Sequence, residues 1–308
     1  MENPKDQETA FHILALDGGG ARGIYPAQML ANIEREVQTP VGECFDLIVG
    51  TSTGSIISGA AAVGIPMTEI VRLFKEKAPR AFGGKRIGAF FFRSKYSRLP
   101  LERVVRECVP DITLGQISKP LMITGSDIST GGVHVFKSRY LEDLQAPYVR
   151  DSQVLLSDAI LSSCAAPTFF DPVPVGDLLL ADGGLWANNP SIIALTEAVS
   201  KFKTPVEQVR ILSIGTGYSV NLYSRSRSWG FLTGWRRQKL VSYILGVQSQ
   251  ASENMAKLLL PGRYLRLNPV VDDWDLDDVE HLDELKSLAT RDFTLRSEEV
   301  VKYLKRPD

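Results

Sequence analysis

Ser52 stands in "GTSTG", Gly50–Thr51–Ser52–Thr53–Gly54, directly after the apolar run "FDLIV" and before the small-residue segment "STGSIISGAAA". Glycines two positions to either side of a serine, at a strand-to-helix junction, are the pattern of a nucleophile elbow. Such a turn is too sharp for bulky neighbours. It lifts the hydroxyl above the carboxyl end of the strand and aims the next helix's N-terminal dipole at it. The plain alternative is a serine that merely caps a helix, and the paired glycines favour the elbow. Asp182 closes a second apolar run in "LLLADGGLWANNP", followed by Gly183 and Gly184. That is either an ordinary Asp-Gly turn or a carboxylate at the same sheet edge as Ser52, placed to accept its proton. A carboxylate is a weak base for a serine, so burial must raise its pKa or direct contact must compensate.

Acyl transfer also needs preorganised donors for a developing oxyanion. The stretch "ILALDGGGARGIYPAQML" offers them: an apolar strand, a glycine loop and the start of an amphipathic helix, an arrangement that holds anions. Gly18, Gly20 and Gly23 also satisfy G-x-G-x-x-G, so a module binding a nucleotide or phosphate through Gly18–Gly23 is a competing reading. That reading wants an acid at the carboxyl end of the next strand. Asp46 precedes "LIVG" and so lies at the wrong end. A second rival is the hydrolase triad in the chain order Ser52, Asp182, His281. His281, however, falls in "DDVEHLDELK", the first turn of an exposed helix. His12 precedes a strand, and His134 alternates with Val133 and Val135. Each histidine reads as a surface or packing residue.

Taken together, the Asp-Gly-Gly-Gly-x-Arg-Gly loop, the Gly-x-Ser-x-Gly elbow and the Asp-Gly-Gly turn resemble the patatin-like phospholipase family, in the family's order. "SSCAAPTFFDP" (162–172), "NNP" (188–190) and "LSIGTG" (212–217) look like its connecting segments. The resemblance covers Ile13 to Gly217 well and the rest loosely. It implies a three-layer α/β/α fold with a mainly parallel central sheet and hydrolysis of acyl esters of membrane phospholipids by a Ser–Asp dyad. Ser52 is then the nucleophile and Asp182 the base. The amides of Gly18, Gly19 and Gly20, in a loop completed by Ala21, Arg22 and Gly23, face the oxyanion, and Arg22 fixes the loop. No metal or cofactor is implied. The chain is also similar to the cyclic-dinucleotide-activated phospholipases of bacterial antiphage signalling. That similarity implies a cyclic dinucleotide as allosteric activator and a homo-oligomer as the active form.

The elements that must position these residues follow from periodicity. Ala27, Leu30, Ile33 and Val37 mark one face of the helix after the glycine loop. Helices are expected at Met67–Lys77, Leu99–Val109, Val154–Ser163, Ser191–Phe202, Arg236–Leu260 and about Leu282–Leu304. "PLMITGSDI" and "VHVFKS" read as paired strands, and "VRILSIGTG" and "YLRL" as further strands. Strands alternating with helices imply a mainly parallel sheet covered on both faces. The expectation is one domain over 1–308, with a core at about 11–217 and a helical C-terminal part at about 218–308.

The 308 residues are 44% hydrophobic and 23% charged with a net charge of −1, an ordinary globular balance. Three scattered cysteines suit a reducing cytoplasm. No apolar run approaches the ~20 residues of a membrane span, so the expected contact is peripheral, at the inner face of the cell membrane. No DNA or RNA partner is expected. Charge is unevenly spread. Lys75–Arg98 holds eight basic residues and one acid among aromatic residues, and Tyr218–Lys239 holds five basic residues and no acid. Asp272–Glu284 carries eight carboxylates. The acidic spacing is not that of a calcium loop. The separation suggests an anionic partner for the basic side, a lipid surface or a nucleotide.

Overall fold

Phe11–Leu16 forms β1, buried from His12 onward. Leu14 and Leu16 join one apolar cluster while Ile13 and Ala15 join a second on the opposite face. A strand covered on both sides must be apolar throughout, which is why this run does not alternate. The computed structural model of the chain describes residues 10–83, 93–139, 146–219 and 237–305. Within them, β2 (Leu47–Gly50), β3 (Leu121–Asp127), β4 (Gly132–Lys137), β5 (Val173–Val175), β6 (Leu178–Asp182), β7 (Val209–Ile214) and β8 (Tyr264–Leu267) complete one sheet. Its order is β5-β6-β3-β2-β1-β7-β8, with β4 also on β3.

The pairs β3/β2, β2/β1, β1/β7 and β7/β8 are parallel. Those of β3 with β4 and with β6, and of β5 with β6, are antiparallel. The sheet is therefore mixed, with a parallel centre. The larger cluster packs under α1 (Ile24–Val37), α2 (Thr53–Ala62), α3 (Met67–Ala81), α4 (Arg98–Cys108), α6 (Leu156–Ser163) and α10 (Leu282–Leu304). On the other face, α8 (Ser191–Ser200) contributes Ala194, Leu195 and Ala198. Three layers result, as expected.

The short α5 (Ala146–Asp151) and α7 (Gly184–Ala187) and the long α9 (Arg237–Leu259) complete the helices of the described residues. Most expected boundaries fall within two residues of the observed ones. The α3 helix runs four residues beyond Lys77, through Pro79. The three-residue β5 has no expected counterpart, being too short for a period to show. Beside its helices the C-terminal part holds the expected "YLRL" strand, which as β8 extends the central sheet beside β7.

Candidate active site

The elbow takes the form its sequence dictates. Ser52 has φ 52° and ψ −125°, a strained backbone rare outside glycine. A Cβ on Gly50 would lie 2.4 Å from the Gly54 carbonyl oxygen, and one on Gly54 would lie 2.4 Å from that of Leu16. Only glycine tolerates both approaches. Further contacts hold the turn: the Ser52 amide donates to Ser163 Oγ at 2.8 Å, and Ser55 Oγ donates to the Ser52 carbonyl at 2.6 Å. Thr51 Oγ1 donates to the Ala187 carbonyl at 2.6 Å and lies 2.7 Å from Thr124 Oγ1. Thr51 thus ties the elbow to β3 and to the turn that follows Asp182.

Asp182 reaches Ser52 by a route the sequence pattern does not show. It ends β6, which runs antiparallel to β3, so it does not share the carboxyl edge of a parallel strand. Register brings it there instead. Asp182 pairs with Gly125, two residues beyond Ile123, and Ile123 pairs with Gly50, two residues before Ser52. The carboxylate is 5% exposed and accepts the Gly184 amide at 2.7 Å. Burial raises its pKa to about 6, against the opposing Gly184 amide and the nearby Ser52 hydroxyl. A carboxyl with this pKa is mostly ionised at pH 7 yet far closer to neutrality than an ordinary aspartate, the range in which general-base catalysis is efficient.

Fewer amides of the glycine loop are free than the sequence suggests. The Gly18 amide donates to the Asn188 carbonyl at 3.1 Å, Ala21 to Leu276 at 2.8 Å, and Arg22 to Gly19 at 3.3 Å. Among the described residues, Gly19 and Gly20 keep amides with no acceptor, and both line the pocket that holds Ser52. Three braces set the loop, and periodicity reveals none of them. Thr216 Oγ1 donates to the Gly18 carbonyl at 2.9 Å. Asp17 is held by buried Arg266 of β8 through contacts of 2.7 and 2.5 Å. The Leu276 carbonyl comes from the acidic run, whose Asp277 is bound by Lys95 and Tyr96. Burial pushes Arg22 down to about 10, with Asp275 and Asp273 opposing, so it remains cationic beside that run.

Ser52, Asp182, Asn188, Gly19 and Gly20 open into one pocket with about 830 Å³ of empty space, its mouth included. Its walls are apolar: Ile70, Leu73, Phe74, Leu101, Phe169 and Phe170 among them. A hydroxyl, a buried carboxylate and two unengaged amides at the end of an apolar slot suit an ester with a long hydrocarbon acyl group. A sequence model of the patatin-like phospholipases matches residues 14–195.

The chain belongs to the patatin-like phospholipase family.

It is 31% identical to a cGAMP-activated phospholipase of Pseudomonas aeruginosa, over 91% of this chain and 84% of that protein. It is likewise 31% identical to one of Vibrio cholerae, over 98% and 96%. The crystal structure of VipD from Legionella pneumophila has a similar fold, with a TM-score of 0.51 and 12% identity over 96% of this chain and 67% of that one. Membership makes the chain a lipid ester hydrolase by family.

The rival readings lose their residues within the patatin-like fold. No histidine lines the pocket among the described residues. His281 lies 2.9 Å from Asp278 and stacks on Trp274 with ring centroids 4.3 Å apart. His134 lies 3.0 Å from Asp151. Asp46, the ribose candidate, accepts the His12 amide at 2.8 Å at the start of β1. Part of the charge separation is answered inside the molecule: Lys75 pairs with Asp283 and Lys95 with Asp277 of the acidic run, and Lys77 pairs with Glu107. Residues 84–92 of the first basic stretch and 220–236 of the second lie outside the described residues. No helix among the described residues is long and apolar enough to cross a membrane. No group of His, Cys, Asp or Glu there is arranged to hold a metal.

Proposed function

We propose that this patatin-like chain hydrolyses acyl esters of membrane phospholipids through Ser52 and Asp182 and is activated by a cyclic dinucleotide. The observation that carries the chemistry is the strained Ser52 beside a buried carboxylate of raised pKa, in one pocket with the unengaged Gly19 and Gly20 amides. Ser52 Oγ attacks the ester carbonyl carbon while Asp182 takes its proton. The two amides stabilise the oxyanion, and the proton passes to the departing lysolipid oxygen. The apolar slot holds the acyl chain.

The membrane half of the reading is supported by α9. Leu245 lines the pocket, and its neighbours Tyr243, Ile244 and Val247 are exposed. From Tyr218 to Ser252 the sequence has no acidic residue. Exposed apolar residues next to the pocket-lining Leu245, on a part of α9 free of acids until Glu253, suit the anionic inner face of a cell membrane. The cyclic dinucleotide rests on the two relatives named cGAMP-activated. A cytoplasmic phospholipase active at all times would attack its own cell's membrane, which gives such restraint a physical purpose. Activation requires tighter binding of the nucleotide to the competent state than to the silent one.

The test is release of fatty acid from phospholipid vesicles with and without a panel of cyclic dinucleotides. It compares wild type with Ser52→Ala, Asp182→Ala, the double variant and His281→Ala. Each dyad substitution is expected to cost about 10⁴-fold, the double little more, and His281→Ala almost nothing. Hydrolysis by Ser52→Ala at the wild-type rate overturns the dyad. Full activity without any nucleotide overturns the activation.

A further inference from the structure

Asn188 is 6% exposed and lines the same pocket as Ser52 and Asp182. Its Nδ2 donates to Ser249 Oγ at 2.9 Å and to the Gly18 carbonyl at 3.4 Å. A carbonyl oxygen only accepts, so the Gly18 contact fixes which end of the amide is which. Its Oδ1 is buried and accepts no hydrogen bond from any described residue. A buried acceptor without a donor is costly and rare, and it calls for an explanation.

The position of that oxygen supplies one. A Cβ built on Gly18 would lie 2.5 Å from Asn188 Oδ1 and 3.0 Å from Ser52 Cβ. One built on Gly184 would lie 3.1 Å from Asn188 Oδ1 and 3.0 Å from Asp182 Oδ1. The orphan oxygen therefore borders both the nucleophile and the base, and all three residues line the same pocket beside Leu245. A donor arriving there has two acceptors to meet, Asn188 Oδ1 and the Asp182 carboxylate. Water has two O–H bonds.

We infer that Asn188 Oδ1 holds the hydrolytic water for the second half of the reaction, an inference that rests on the Ser52–Asp182 reading. In that step the water oxygen bonds to the acyl carbonyl carbon, one of its O–H bonds breaks, and that proton passes to Asp182. The tetrahedral intermediate then collapses. The bond from the carbonyl carbon to Ser52 Oγ breaks, Ser52 regains the proton from Asp182, and the fatty acid leaves. The water's other O–H is not transferred. It donates to Asn188 Oδ1, which turns the oxygen lone pair toward the carbonyl carbon. Acylation uses no water, so Asn188 Oδ1 acts on deacylation alone.

Pre-steady-state hydrolysis of a chromogenic acyl ester separates the two halves. With Asn188→Ala, the burst of released chromophore should keep a rate within about threefold of wild type. The steady-state rate should fall at least thirtyfold, with an acyl adduct on Ser52 accumulating in the intact mass spectrum. Hydroxylamine, a stronger nucleophile than water, should restore turnover. A burst slowed as much as the steady state, or no adduct, assigns Asn188 a structural role and overturns the inference. A burst that persists in Ser52→Ala instead overturns the underlying dyad. A crystal structure of the wild-type protein tests the same point without a substitution. An ordered water on Asn188 Oδ1 and Asp182 is expected there, and a dry corner refutes the assignment.

Discussion

Replacing Asp182 with Asn keeps the side chain's size and an oxygen for the Gly184 amide, and removes only the charge. Burial raises the carboxyl pKa from 3.8 to about 6. At about 1.4 kcal/mol per pKa unit, holding it ionised inside the folded protein costs about 3 kcal/mol of stability. Between about pH 4 and 6 the folded protein retains a proton that the unfolded chain has released. Wild-type stability therefore falls as pH rises through that window, and the cost is complete above about pH 6. Asparagine has no such dependence. Asp182→Asn should be more stable than wild type at pH 8 by about 3 kcal/mol, with the gap closing toward pH 4. For 308 residues, an unfolding entropy of about 0.65 kcal/mol per kelvin turns this into a Tm increase of about 4–5 °C. Turnover should drop about 10⁴-fold. In the wild type, kcat/KM should rise with pH through about 6 as the base loses its proton. Scanning calorimetry of both proteins at pH 8 and pH 4.5, beside esterase rates, checks all three. A Tm difference that is the same at both pH values, or an Asn variant less stable at pH 8, would refute the reasoning.

Two further predictions concern the oxyanion loop. A Cβ on Gly19 would lie 1.9 Å from Thr216 Oγ1. Gly19→Ala should therefore displace the amides and lower kcat on a soluble ester about 10²–10³-fold, with KM largely kept. Asp277→Ala removes the partner of Lys95 and Tyr96 and loosens the segment whose Leu276 carbonyl holds Ala21. It should cost about 2–3 kcal/mol by chemical denaturation and lower kcat about tenfold. Lys75→Ala, at the exposed pair with Asp283, should change stability by less than about 1 kcal/mol.

Much of this protein is legible in one dimension. The central strands announce themselves because burial on both faces demands near-continuous apolar runs, as in Ile13–Leu16 of β1 and Leu47–Val49 of β2. Ser52 announces its turn because the close approach of the Leu16 and Gly54 carbonyls admits only glycine at positions 54 and 50. Both are local constraints, met by residues within a few positions of each other. Three things are not local. Asp182 meets Ser52 through the register of an antiparallel strand, and register depends on which strands pair. The choice of Gly19 and Gly20 as the free amides depends on which acceptors reach Gly18 and Ala21, and these come from Asn188 and Leu276. The Asp17–Arg266 pair and the bond to Leu276 join residues some 250 positions apart, so neither leaves a period or a spacing in the sequence. The C-terminal part carries no catalytic motif and reads as a helical addition. Only the folded chain shows that it braces the loop, because a hydrogen bond or a buried ion pair is decided by distance in space, which the order of residues does not record.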